Sequence, residues 1–181
     1  MVRTVPTSHQ VDAVAELLGV KLYETPVGFK YIGALMESEP IIVGGEESGG
    51  LSVKGHVPEK DGILACLLMA ELVATEKKSL GQILKELAKK TGEFYSDRIN
   101  VSFAPEKKDA LLKKLGGGLE SIGAFKVEKF ITTDGFKFLL PKGEWVAFRA
   151  SGTEPLIRCY LEARTKANLK KLDAACRALL A

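Results

Sequence analysis

Apolar positions along the chain follow two rhythms, and the rhythm changes once. In the first half, helical spacing alternates with short apolar runs. Val11, Val14, Ala15, Leu17 and Leu18 recur at helical intervals behind Thr7 or Ser8, either of which can cap a helix, and Gly19 suits its end. Residues 20–23 then read as a short strand and 31–36 as a helix. Pro40-Ile41-Ile42-Val43 is a continuous apolar run, which predicts a strand buried on both faces. From Asp61 to about Thr75, the residues Ile63, Leu64, Leu67, Leu68, Met69, Leu72 and Val73 predict a helix apolar enough to require cover. A further amphipathic helix spans 79–90, with Leu80, Ile83, Leu84 and Leu87 on one face.

Thr91-Gly92-Glu93 breaks this pattern. A strand near 99–103 is followed by Pro105 and a helix reaching Leu115, which Gly116-Gly117-Gly118 stops. Strand-like stretches at 125–132, 136–140 and 145–148 come in quick succession, with Asp134-Gly135 and Lys142-Gly143 as turns between them. A fourth at 156–161 precedes a closing helix at 165–180. The pattern predicts an α/β unit with a mixed sheet over 1–90 and a linker at 91–98. A small α+β unit with an antiparallel sheet and two helices follows over 99–181.

Length and composition narrow the function classes. A chain of 181 residues can hold one large domain or two small ones, each with a modest core. No apolar run approaches the ~20 residues of a membrane span, and Met1-Val2-Arg3-Thr4-Val5-Pro6 lacks the apolar core of a secretory signal. A cytoplasmic protein without membrane contact is expected. The net charge of +3 is small, and Lys77-Lys78, Lys89-Lys90 and Lys113-Lys114 sit on helical segments rather than in a dense basic stripe, so nucleic acid is not an expected partner. Cys66, Cys159 and Cys176 lie far apart in apolar contexts and read as small core residues, neither a zinc site nor a disulfide framework.

Two loops carry candidate chemistry. In Arg149-Ala150-Ser151-Gly152-Thr153-Glu154-Pro155 the arginine offers a planar fork, Ser151 and Thr153 offer hydroxyl donors, and Gly152 lets backbone N–H groups approach an anion; Arg158 follows on the next strand. Each part suits a phosphate dianion, although a polar hairpin turn would also use Ser, Gly and Pro. Gly44-Gly45-Glu46-Glu47-Ser48-Gly49-Gly50 follows an apolar strand, where α/β proteins place ligands. Its carboxylates can accept hydrogen bonds from sugar hydroxyls, and Ser48 can donate or accept. Two adjacent carboxylates without a third ligand make a poor metal cage, so no metal site is assigned to this chain.

Together the two loops resemble those of the alpha-D-phosphohexomutases, the family of phosphoglucomutase and phosphomannomutase. Gly45-Glu46-Glu47-Ser48-Gly49 resembles the family's sugar-reading G-E-x-S-G, and Arg149 to Pro155 its phosphate-binding R-x-S-G-T-x-P. Glu24-Thr25-Pro26-Val27-Gly28-Phe29-Lys30 is similar to its T-P-x-G loop, and His56-Val57-Pro58-Glu59-Lys60-Asp61-Gly62 to a segment whose lysine sits near the reacting oxygens. The order of the four stretches matches the family's third and fourth domains. The resemblance implies an incomplete third domain followed by a TATA-box-binding-protein-like fourth domain.

It further implies substrate contacts at Thr25, Gly28, Glu46, Ser48, Arg149, Ser151, Gly152, Thr153 and Arg158, with Lys60 and His56 as candidates for proton transfer or charge stabilisation. In the family a phosphoserine donates its phosphate to a hexose monophosphate, the bisphosphate turns around, and the other phosphate returns to the serine. The serine loop reads T-x-S-H-N-P; Thr7-Ser8-His9-Gln10 departs from it, because Gln10 and Val11 replace Asn-Pro, and Ser8 reads as a helix cap. The magnesium-binding D-x-D-x-D is not found in the sequence, and the opening strand and helix of the third domain are expected to be cut away. Mg2+ and hexose 1,6-bisphosphate are therefore implied for the complete enzyme, and none is expected to be bound as a cofactor by this chain. The expected partners are a hexose phosphate and the N-terminal phosphohexomutase domains, on the same gene product or a separate chain. Alone, the chain is expected to be inactive. A stand-alone sugar-phosphate-binding module is the alternative. The Glu46-Glu47-Ser48 form favours glucose, with mannose and glucosamine phosphates open.

Overall fold

The computed structural model describes residues 1–151 and 154–181, which form two compact units, Met1–Glu93 and Phe94–Ala181. The first unit runs β1 (Val2–Thr4), α1 (Gln10–Leu17), β2 (Tyr23–Thr25), α2 (Phe29–Ser38), β3 (Val43–Gly45), β4 (Leu51–Val53), α3 (Gly62–Glu76) and α4 (Leu80–Thr91). Its sheet has the order β2-β1-β3-β4. β1 runs parallel to both neighbours, with Val2 opposite Tyr23 and Gly44, whereas β4 returns antiparallel to β3. The sheet is therefore mixed, with α1 and α2 as the crossovers between parallel strands.

α2 packs on this sheet through Phe29 and Ile32, which meet Val2 and Ile41 in a small core. Gly44 permits the approach: a Cβ there would collide with Ile32 Cγ2 and lie 2.9 Å from Val2 Cγ1. Arg3 is buried and held by Asp12 of α1 at 2.6 Å and Glu24 of β2 at 2.5 Å. Burial works against its charge, but the two carboxylates outweigh that and keep its pKa above the ordinary value.

Several elements depart from the periodicity. The strand expected at 40–43 lies three residues later, and Ile42 is 46% exposed rather than buried on both faces. Pro40 carries no N–H and Ile41 bonds back to Glu39, so the chain joins the ladder only at Val43. The strand expected at 20–23 begins at Tyr23, because the Val20 N–H still bonds to Ala15 as the chain leaves α1. Ser8 does not occupy the cap position, which falls to His9; instead its Oγ accepts the Gln10 N–H at 3.0 Å from one residue upstream. α3 buries no residue: Ile63 is 77% and Leu67 63% exposed, against the expectation of a covered helix. Cys66 on α3 is likewise exposed rather than a core residue.

The second unit comprises β5 (Tyr95–Ser102), α5 (Pro105–Gly116), β6 (Ser121–Ile122), β7 (Phe125–Lys126), β8 (Lys129–Ile131), β9 (Phe136–Leu139), β10 (Trp145–Ala150), β11 (Leu156–Ala163) and α6 (Lys166–Leu180). Five strands form an antiparallel sheet in the order β5-β11-β10-β9-β8, beside the small β6–β7 hairpin. β5 begins at Tyr95, earlier than expected and inside the stretch read as linker, because Tyr95 to Arg98 pair with Ala163 to Tyr160. The single strand expected at 125–132 is two. Val127 donates to Glu120 and Glu128 to Leu139, so the backbone changes partners between them.

Alternation along β10 and β11 divides the unit. Val146, Phe148, Ile157, Cys159 and Leu161 join Leu172, Cys176 and Leu180 of α6 and Leu115 of α5 in one core. Burial pushes the Cys159 thiol well above its ordinary pKa, with Cys176 adding to the effect. Trp145, Ala147 and Tyr160 take the other face. There Trp145 Nε1 and Ser96 Oγ both donate to the buried Glu162 carboxylate at 2.8 Å. Among the described residues, no helix is long and apolar enough to cross a membrane.

Candidate functional site

Arg149 and Arg158 are direct cross-strand partners on β10 and β11, so their side chains leave the same face of the sheet. Like charges placed directly opposite are unfavourable, and each arginine here has an acidic neighbour. Arg149 Nε donates to both Asp134 carboxylate oxygens at 3.0 Å, and Arg158 Nη2 donates to Glu154 Oε2 at 3.2 Å. The Arg149 and Arg158 side chains are 25% and 30% exposed, so both guanidinium groups reach solvent from a partly dry setting.

Ser151 is buried and organises the turn. Its N–H donates to Leu156 and its Oγ accepts the Glu154 N–H at 3.3 Å; a serine hydroxyl that accepts in this way can also donate its proton. Lys108 of α5 places Nζ 3.5 Å from the Ser151 carbonyl oxygen. Lys108 stands outside the residue-type patterns of the sequence. The available signal was a lysine in the opening turn of a helix, where the helix dipole disfavours positive charge. Gly152 and Thr153, also expected at this site, lie outside the described residues. Two guanidinium groups, a hydroxyl and an ammonium around one turn can hold an oxyanion through charge-assisted hydrogen bonds.

In the first unit, the loops after the three parallel strands all leave the carboxyl edge of the sheet, the usual ligand edge of such sheets. The loop after β3 is a hairpin into β4, closed by Glu46 N–H to Gly50 and Gly49 N–H to Glu46. Its Glu46 side chain crosses to the loop after β2, where Oε1 accepts the Gly28 N–H at 3.1 Å. The Lys60 stem lies on the same spot: a Cβ on Gly50 would sit 3.2 Å from Glu46 Oε2 and 3.3 Å from Lys60 Cδ. The Lys60 ammonium stays exposed, 5.8 Å from the centre of the Phe29 ring. Gly28, Glu46 and Lys60 are thus brought together.

The other expected residues behave differently. Ser48 is exposed at the hairpin tip. The Thr25 hydroxyl is buried at the end of β2 and has no hydrogen-bond partner among the described residues. His56 Nε2 lies 3.0 Å from Asp61 Oδ2, while Asp61 Oδ1 accepts the first N–H groups of α3 from Ile63 and Leu64. His56 is therefore tied to the start of α3.

The first unit thus presents a carboxylate and an ammonium at its strand ends, and the second presents paired arginines beside a serine turn. The chain belongs to the phosphoglucomutase/phosphomannomutase family: residues 1–91 match its alpha/beta/alpha domain III and residues 98–179 its C-terminal domain. A phosphoglucomutase from Komagataeibacter xylinus is 35% identical over 94% of the chain and 34% of its own length. A phosphoglucomutase/phosphomannomutase from Thermococcus kodakarensis is 34% identical over 92% of the chain and 34% of its own length. A crystal structure of a Thermus thermophilus protein described as a phosphomannomutase superposes with a TM-score of 0.79 at 32% identity, over 99% of this chain and 36% of that one. The chain thus spans about a third of the length of the relatives it matches.

Proposed function

We propose that this chain supplies the sugar-reading and phosphate-holding part of a phosphohexomutase. That enzyme interconverts hexose 1-phosphate and hexose 6-phosphate through a bisphosphate intermediate. The first unit reads sugar hydroxyls through Glu46, Ser48 and the Thr25–Gly28 loop, and the second holds a phosphate through Arg149, Ser151, Gly152, Thr153 and Arg158. Lys108 adds charge from α5. The directly opposed Arg149 and Arg158 carry this reading, because a bound dianion turns an unfavourable like-charge pair into a bidentate grip.

In phosphoryl transfer the protein acts chiefly by positioning and by electrostatic stabilisation. A grip on the phosphate that is not reacting serves both orientations of the bisphosphate. Lys60, beside Glu46, is placed to stabilise charge on oxygens near the sugar. His56 serves more indirectly, through the Asp61 carboxylate that it contacts. The transferring serine and the metal loop belong to other domains of the complete enzyme.

Titration of the chain with glucose 1,6-bisphosphate, before and after Arg149→Ala, tests the anchor. Loss of a charge-assisted contact is expected to weaken binding by about 1.5–3 kcal/mol, and an unchanged affinity would remove the anchor from the proposal. Conversion of glucose 1-phosphate by the purified chain, with bisphosphate and Mg2+ present, would overturn the assignment of chemistry to other domains.

A further inference from the structure

The turn between β8 and β9 is seated on the phosphate arginine. β9 pairs with β10 as far as Phe136 opposite Phe148, and β10 then continues alone on that side through Arg149. Asp134-Gly135 fills the place opposite Arg149. Gly135 adopts φ +74°, and a Cβ on it would run into the Phe148 carbonyl oxygen and lie 3.2 Å from Arg149 Cα. Only glycine fits so close to that backbone in that conformation. The turn is thereby held against the strand, and the Asp134 side chain is delivered to Arg149.

The contact is unusual in form. Both carboxylate oxygens converge on the single Nε–H at 3.0 Å, rather than on the two-pronged end of the fork. Among the described residues, nothing hydrogen-bonds to Nη1 or Nη2 of Arg149. A carboxylate beside a phosphate anchor repels the incoming dianion, so as a plain counter-charge it would weaken the site. It does, however, fix a long side chain that otherwise loses rotamer freedom when the ligand orders it.

We propose that Asp134 is a positioning residue: by holding Nε it pre-orients the Arg149 guanidinium so that its two terminal nitrogens face the phosphate. The inference rests on the phosphate-anchor reading of Arg149 and adds to it a part that the Ser-Gly-Thr turn does not supply. Asp134 touches no phosphate itself and acts on it through Arg149.

The test is inorganic phosphate and glucose 1,6-bisphosphate titrated into the chain and into Asp134→Ala, Asp134→Asn and Asp134→Glu. Asp134→Asn must be freshly prepared, because an Asn-Gly pair deamidates through a cyclic imide to isoaspartate and aspartate. The Arg149 Nε–Hε resonance is followed alongside as a direct report on the contact. Asp134→Ala should lose the protected Nε–Hε signal and bind phosphate about three- to tenfold more weakly, the cost of one long side chain left to be ordered by the ligand. Asp134→Asn keeps an oxygen acceptor and should retain the signal and most of the affinity. Asp134→Glu, one methylene longer, should reach the terminal nitrogens and compete with phosphate, and it gives the answer if the alanine variant fails to fold. Phosphate bound as tightly or more tightly by Asp134→Ala would overturn the proposal and leave Asp134 a mere counter-charge. Equal loss in the alanine and asparagine variants would overturn it as well, since charge and not the hydrogen bond would then matter. If Arg149→Ala leaves phosphate affinity unchanged, it is the anchor reading that fails.

Discussion

Two helices of equal length behave oppositely. α3 and α6 each have 15 residues. α6, mixed in composition, buries Leu172, Cys176 and Leu180, whereas α3, richer in apolar residues, buries none. The difference lies in what each helix meets. A 15-residue helix is about 22 Å long, and α6 packs along β11 and β5, strands of eight residues that extend about 26 Å. α3 leans mainly on β4, three residues and about 10 Å long. Apolar content sets what a helix can bury, and the length of the facing sheet sets what it does bury. The same contrast holds between the units: the second closes a broad core on the face of its sheet opposite Arg149 and Arg158, and the first has a narrow core centred on Ile32.

The largest expected effect comes from opening the broader core. Phe138 is fully buried, stacked on Phe130 at 4.9 Å and edge-on to Phe148 at 6.1 Å. Phe138→Ala should destabilise the second unit by about 3–5 kcal/mol, read by denaturant unfolding followed through Trp145, the chain's single tryptophan and a buried member of that unit. A loss below about 1 kcal/mol would mean that the second core is no tighter than the first.

Next is the narrow core, probed by adding volume. Gly44→Ala drives a methyl group into Ile32 and Val2 and should cost about 1–3 kcal/mol, seen as an earlier far-UV transition while the Trp145 signal keeps its midpoint. A coincident shift in both signals would show that the units unfold together, and the contrast between them would lose its thermodynamic meaning. Smaller again is Leu67→Ala on α3: at 63% exposure it should change stability by no more than about 0.5 kcal/mol. A cost of 2 kcal/mol or more, typical of a buried leucine (~2–5 kcal/mol), would show that α3 is covered in solution.

Legibility in the sequence followed the same division. Helices whose start carries a residue signature lie within a residue or two of where the sequence puts them: the Asp61 cap, the Ser79–Gln82 capping box, the Thr165 cap and Pro105 as the first residue of α5. The Asp134-Gly135 turn was legible because a tight turn has a residue signature. β4 is not legible, since three residues, Leu51-Ser52-Val53, are too few to show a period; consequently nothing in the sequence marks the Gly44–Gly50 loop as a hairpin. Around Arg149 the contiguous run of arginine, serine and glycine could be read directly. The clasp of Asp134 on Nε cannot, because it joins positions 15 apart in the chain, one in the β8–β9 turn and the other on β10. The buried Thr25 hydroxyl and the tie of His56 to Asp61 are likewise products of packing that residue type alone does not specify.

The smallest expected effect separates α3 from α6 by pH. α6 is capped by the Thr165 hydroxyl, which accepts the Asn168 N–H at 3.1 Å and does not titrate. α3 is capped by the Asp61 carboxylate, which the Leu64 N–H, the His56 ring and the Ile63 N–H together hold below its ordinary value of 3.8. A carboxyl group whose folded pKa is depressed contributes stability that is fully present above its unfolded value, here near 3.8, and lost as pH falls through the folded value. Acidification from pH 5 to below about 3 should therefore loosen the first turn of α3 and leave that of α6 untouched. The check is amide exchange, with Ile63 and Leu64 losing protection while Asn168 does not. In Asp61→Asn the acceptor remains but cannot be protonated in this range, so the acid loss at Ile63 and Leu64 should vanish. Its persistence in Asp61→Asn would place the acid-sensitive group elsewhere and remove the cap as the feature that distinguishes the two helices at low pH.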